Sequence, residues 1–122
     1  MFWYFHFVAI NEKLTERVRE ALADVKKVTE KKMFRGITFM VNGKMCVSVG
    51  GEEIMCRIDP EIFESVLEKD GVRPMVHAGR AMKGFVFVHE SAIMRKKEFD
   101  YWINLALTFN KKAKASKKKK TK

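Results

Sequence analysis

The chain has 122 residues, 47% of them apolar, enough for one domain with a core of its own. Its two cysteines, Cys46 and Cys56, form no CxxC pair, which excludes a disulfide framework and fits a reducing, cytoplasmic compartment. The net charge is +10, but eight lysines and no acid fall in residues 111–122, leaving +2 for residues 1–110 and excluding a uniformly basic domain.

The first ten residues, MFWYFHFVAI, are aromatic and apolar with no basic start, and too short to span a bilayer. Their β-rich composition predicts an extra strand, paired or covered, because so apolar an edge left bare would aggregate. A start-site extension without a role of its own is the other reading. Asn11 then caps a helix predicted to run to about Lys26, with Leu14, Val18, Ala21, Leu22 and Val25 on one stripe.

Weak alternation in VTEKKMF (28–34) predicts a short, partly exposed strand, and strand-like runs follow at 37–41, 44–49 and 53–58. Asp59-Pro60 starts a helix with Ile62, Phe63, Val66 and Leu67 inward, and Gly71 ends it. GVRPM (71–75) reads as a turn or extended segment, and MKGFVFV (82–88) as a strand. A last helix starts near Lys96 with Phe99, Trp102, Ile103, Ala106 and Phe109 inward. The sum is an α+β fold: a mainly antiparallel sheet of about five strands, with a possible N-terminal strand added, packed with three helices.

Residues 111–122, KKAKASKKKKTK, carry no apolar side chain larger than alanine, so burial cannot offset the entropy of ordering them and the tail reads as disordered. It is either a solvated solubility tail or an arm for nucleic-acid phosphates. The second reading rests on Lys111, Lys112, Lys114, Lys117, Lys118, Lys119, Lys120 and Lys122.

The glycines in MFRGITFMVNGKMCVSVGG (33–51) raise the question of a ligand loop. A three-residue loop Val41-Asn42-Gly43, with Gly43 left-handed, pairs Phe39 with Met45 and Ile37 with Val47, and keeps apolar faces together. A two-residue loop at Gly50-Gly51 pairs Val49 with Glu52 and Val47 with Ile54. The glycines then serve turns. Ile37, Phe39, Met45, Val47, Val49, Ile54, Cys56 and Ile58 share one face. Thr38, Met40, Cys46, Ser48, Met55 and Arg57 share the other, which sets the two cysteines on opposite sides and argues against a disulfide.

On that second face, Met40, Cys46 and Met55 are soft, apolar side chains that either lie under a terminal helix or form a candidate interface, to a protein partner or to a second copy in a homodimer. GRAMKG (79–84) could hold an anion through Arg80 and Lys83, though such a segment is more often a tight turn entering a strand. His77, His89 and the cysteines lack paired metal-ligand spacing, so no metal or other cofactor is expected. No phosphate-binding glycine loop and no nucleophile motif is present, and an enzyme is not expected.

KKMFRGITFMVNGKMCVSV (31–49), GVRPM (71–75) and GRAMKGFVFV (79–88) together resemble the amino-terminal domain of the TfoX/Sxy competence regulators. The resemblance runs from about Asn11 to Phe109, departs at Arg35, where the family often has a second glycine, and leaves out the aromatic start. It implies a non-enzymatic regulatory module acting through protein contacts, as in transcriptional coactivation beside the cyclic-AMP receptor protein. Full-length relatives add a helix-hairpin-helix-like domain, whereas only the lysine tail follows the last helix here. The family supplies no catalytic residues. Nonspecific nucleic-acid binding through the tail is the alternative function, and no membrane partner is expected.

Overall fold

A computed structural model describes residues 11–33 and 36–114. The aromatic start and Lys117, Lys118, Lys119, Lys120 and Lys122 lie outside the described residues.

Helix α1 (Glu12–Ala21) begins where Asn11 accepts from the Leu14 amide at 3.0 Å. It ends about five residues earlier than the stripe suggests. Lys27 takes a left-handed φ of 59° and its carbonyl receives the Asn42 amide at 2.9 Å, which turns the chain into the sheet.

Among the described residues, six antiparallel strands follow: β1 (Val28–Met33), β2 (Gly36–Val41), β3 (Lys44–Gly50), β4 (Glu53–Arg57), β5 (Val72–His77) and β6 (Arg80–His89). Their order is β1-β2-β3-β4-β6-β5. The segment expected as a turn or extended stretch is therefore strand β5. Among the described residues β5 is an edge strand with β6 as its sole neighbour, and there its Pro74 is tolerated.

A 3₁₀ turn (Pro60–Ile62) capped by Asp59 leads into the single-turn helix α2 (Phe63–Val66), which buries Phe63 and Val66. A second 3₁₀ turn (Glu90–Ile93) leads into α3 (Lys96–Asn110). Phe39, Val47, Val49, Ile54, Cys56, Val86 and Val88 from one sheet face meet Leu14 and Val18 of α1 and Leu22 at its C-cap. Phe99, Trp102, Ile103 and Ala106 of α3 close the same core. Among the described residues, no helix is long and apolar enough to cross a membrane.

Both hairpin registers differ from expectation. Asn42 (φ 57°) and Gly43 (φ 77°) form a two-residue turn, so Val41 pairs with Lys44 and Met40 with Met45. The register then slips, and Phe39 pairs with Val47, leaving Cys46 as the extra residue of a bulge inside the strand. The bulge, and not a longer loop, reconciles the Asn-Gly turn with the apolar face. At the next turn Gly51 (φ 58°) takes the first loop position, so Gly50 pairs with Glu53 and Val49 with Ile54. The faces survive, because this register differs by two residues from the expected one.

The third hairpin turns at Ala78-Gly79, with both residues left-handed at 54° and 80°. Alanine has no side-chain compensation for that conformation. Ala78→Asn should therefore raise stability by about 0.5–1 kcal/mol, measured as a shift in the urea midpoint.

The folded part also continues past its expected end at residue 110. Lys44 Nζ donates to the carbonyls of Asn110 and Ala113 at 2.7 and 3.1 Å, and the Arg57 guanidinium donates to the Lys114 carbonyl at 3.1 Å. Ala113 is buried, and Lys112 pairs with Asp59 at 3.1 Å. Residues 111–114 thus belong to the packed end of the domain and not to a free tail.

Candidate interaction surface

Strand alternation and the observed register define the sheet face turned away from the helices. Across its strands lie Thr38 and Met40 of β2, Met45 and Ser48 of β3, Met55 and Arg57 of β4, Phe85 and Phe87 of β6, and Arg73 of β5. In its middle the Thr38 and Ser48 hydroxyls share a buried 2.5 Å hydrogen bond, each satisfying the other. Toward β5 two guanidiniums lie over rings. Arg73 stands 4.3 Å from the centroid of Phe87; Arg57, at the edge of the face, stands 5.8 Å from that of Phe85 and 5.9 Å from that of Phe109 at the end of α3. Arg73 is oriented further by a 2.7 Å ion pair with Glu53.

Of the three interface residues expected from the sequence, two share this face. Met40 is half-buried and Met55 is buried. Cys46 belongs instead to the hydrophobic core with Cys56, because the bulge turns it off the strand's alternation. The two cysteines therefore pack on the same side, contrary to the alternating assignment, and both are free thiols. The phenylalanines Phe85 and Phe87 complete the face. The FVFV alternation carries their signal, but nothing in sequence fixes which strand lies beside them.

Burial pushes the Cys46 thiol up to about 12, with nearby Arg57 opposing, and burial together with the neighbouring Cys46 raises Cys56 as well. Thiol reagents should therefore label neither cysteine at pH 8 in the native protein, and both after unfolding. A raised folded value means the neutral thiol is favoured in the fold. This contribution is fully present below the ordinary thiol value of 9.0 and is lost as pH rises from there through about 12. Urea midpoints measured across that interval should fall less in Cys46→Ala than in the parent.

The remaining candidates stand apart. Arg80 and Lys83 are exposed on the ribbon that β5 and β6 extend beyond β4. The GRAMKG segment enters β6 from the Ala78-Gly79 turn. His77 is exposed at the same tip, while His89 caps the 3₁₀ turn by accepting from the Ser91 amide. Among the described residues, no three histidine, cysteine or acidic side chains are grouped to hold a metal. A groove of about 770 Å³ between the Glu68–Gly71 turn and α3 carries Lys69, Arg95 and Lys97 with Glu68, Asp70 and Glu98, a balanced rim selecting neither charge. Lys111, Lys112 and Lys114 line the last, packed turn after α3.

A single-layer antiparallel sheet, helices on one side and a methionine–phenylalanine face on the other, defines a small α+β module. The model of the TfoX N-terminal domain matches residues 20–110, and the chain belongs to that family. A crystal structure of a protein from Pseudomonas syringae, from the Northeast Structural Genomics Consortium, is similar in fold with a TM-score of 0.56. It shares 13% identity, and the match covers 82% of this chain and 97% of that one. No curated protein matches.

Proposed function

We propose that the chain is a non-enzymatic interaction module whose sheet face opposite the described helices docks a protein partner of a transcription complex. The observation that carries this reading is the face itself, with half-buried Met40 and Met45 and the half-buried Phe85 and Phe87 under guanidiniums. Thioethers adapt to irregular partners, and the arginines supply orientation. Membership in the TfoX N-terminal domain family supports the choice of partner class, since its competence regulators act as coactivators beside the cyclic-AMP receptor protein. Titration calorimetry of the full chain against that receptor from the same organism tests the reading. Phe87→Glu and Met40→Glu, checked for native circular dichroism, should each weaken binding at least about tenfold, the equivalent of about 1.4 kcal/mol. Unchanged affinity in both would place the contact elsewhere. The same Met40→Glu variant in light scattering tests self-association through this face.

A second reading is favoured by the distribution of charge. Residues 115–122 hold five lysines and no acid, beyond the packed turn at 111–114. If about five lysines each displace a counterion, the log of duplex-DNA affinity should fall against log salt with a slope of about −4 to −5. Deleting residues 115–122 should abolish most of that binding, read by fluorescence anisotropy at several salt concentrations. Tight binding by the truncated chain would put the site on the folded domain.

A further inference from the structure

We infer that duplex DNA lies against one end of the sheet, with the β5–β6 ribbon entering its major groove. This rests on the nucleic-acid reading and assigns part of that contact to the folded domain.

Charge gives the first argument. The antiparallel register gathers the start of β1, the β2–β3 turn, the end of β4 and the β5–β6 turn at one end of the sheet. Lys26 and Lys27, both exposed, lead into β1 there. Arg80 and Lys83 are exposed on the ribbon, and among the described residues neither is held in an ion pair. Lys44 and Arg57 bind the carbonyls of Asn110, Ala113 and Lys114, which brings exposed Lys111 and Lys114 to the same end. Of the acids in these segments, Asp59 is already paired with Lys112, leaving Asp24 and Glu61. The opposite end is acidic: Glu52 and Glu53 lie at the start of β4, Glu68 and Asp70 precede β5, and Glu90 follows β6. The charge of the folded part is small because it is segregated, and its positive end faces a polyanion favourably.

Shape gives the second argument and selects the duplex. A major groove about 12 Å wide admits a two-stranded β-ribbon. β6 pairs with β4 only from Phe85 onward, so the ribbon tip projects past the sheet, and residues 76–83 are all exposed. Gly71 to His89 contain no acid. Val76 and Met82, 59% and 37% exposed, give the tip apolar atoms of the kind that meet thymine methyls. Across the sheet order, five strand spacings of about 4.8 Å set Lys27 about 24 Å from β5. That is the rise of about seven base pairs at about 3.4 Å each, enough for phosphate contacts beyond the groove that holds the ribbon. Single-strand sites stack bases on exposed rings. Among the described residues the exposed aromatic is Tyr101, on α3 under Lys69 and away from this end.

The test is fluorescence anisotropy of the full chain on a labelled random-sequence duplex at several salt concentrations, each variant checked for native circular dichroism. Arg80→Gln combined with Lys83→Gln should weaken binding at least about tenfold and flatten the log–log salt slope by about two. Lys26→Gln combined with Lys27→Gln should do the same. Lys69→Gln with Lys97→Gln, exposed cations toward the opposite end, should change neither quantity. Deleting residues 115–122 should leave weak binding that still responds to Arg80→Gln with Lys83→Gln. A full chain that binds with a slope of about −4 to −5, indifferent to both pairs, would overturn the sheet-end site and leave the tail reading standing. No duplex affinity in the full chain would overturn both. Affinity for phosphatidylserine vesicles instead, lost in the same variants, would move the site to a membrane surface and overturn the inference.

Discussion

Trp102→Ala should lower the free energy of unfolding by about 3–5 kcal/mol, the range for removing a buried aromatic side chain. The indole is 3% exposed and belongs to the core cluster together with Phe99, Ile103 and Ala106 of the same helix. These four positions recur every three or four residues, so one stripe of α3 meets the sheet. Truncation at the stripe's largest member removes contact area and leaves a cavity that rigid strands on the other side cannot fill. Tyr101, its neighbour in sequence, meets the indole edge-on at 5.2 Å but is 41% exposed, and its loss should cost much less. Urea denaturation followed by far-ultraviolet circular dichroism separates the two. A loss below about 1 kcal/mol for Trp102→Ala would reassign this stripe from packing to binding.

Gly36→Ala should cost about 3 kcal/mol or more, at the upper end of overpacking penalties. A Cβ built on Gly36 would lie 1.8 Å from the Val49 carbonyl oxygen, and the obstacle is backbone that cannot rotate away. The register places Gly36 beside Gly50, so the β2 and β3 backbones approach each other where both lack side chains. Gly43→Ala offers the contrast. No atom lies within 4 Å of its added Cβ, and its cost of about 1–2 kcal/mol should come from the positive φ of 77° alone. Equal losses for the two variants in chemical denaturation would contradict this separation of causes.

Much of this arrangement was legible in the sequence because it follows from local chemistry. Asn11, Asp59-Pro60 and Asn42-Gly43 each name a cap or a turn by side-chain type, and each occurs at those residues, the last as a two-residue turn in place of the expected three-residue loop. The division of Ile37, Phe39, Val47, Val49, Ile54 and Cys56 onto one face also held, since alternation is a property of each strand by itself, but Met45, expected with them, lies opposite Met40 on the other face. What stayed hidden depends on neighbours. β5 was obscured by Gly71 and Pro74, residues that only an edge position makes compatible with a strand. Cys46 was assigned to the wrong side because a bulge inside β3 satisfies the same hydrophobic pattern as a longer loop. The candidate surface was half legible. Met40 and Met55 followed from alternation, whereas Phe85 and Phe87 joined them only through the pairing of β6 with β4.

The strand order β4-β6-β5 has a consequence for how the chain matures on the ribosome. The meander β1 to β4 can form as it emerges, each strand pairing with the one just made. β5 emerges next but has no place against β4, because that position belongs to β6, which is synthesised later. Until β6 arrives, the β4 edge keeps its amides and carbonyls unpaired beside the apolar Ile54, Met55 and Cys56. A nascent chain halted before Arg80 therefore presents a sticky, half-built sheet, and the β5–β6 hairpin is the step that seals it.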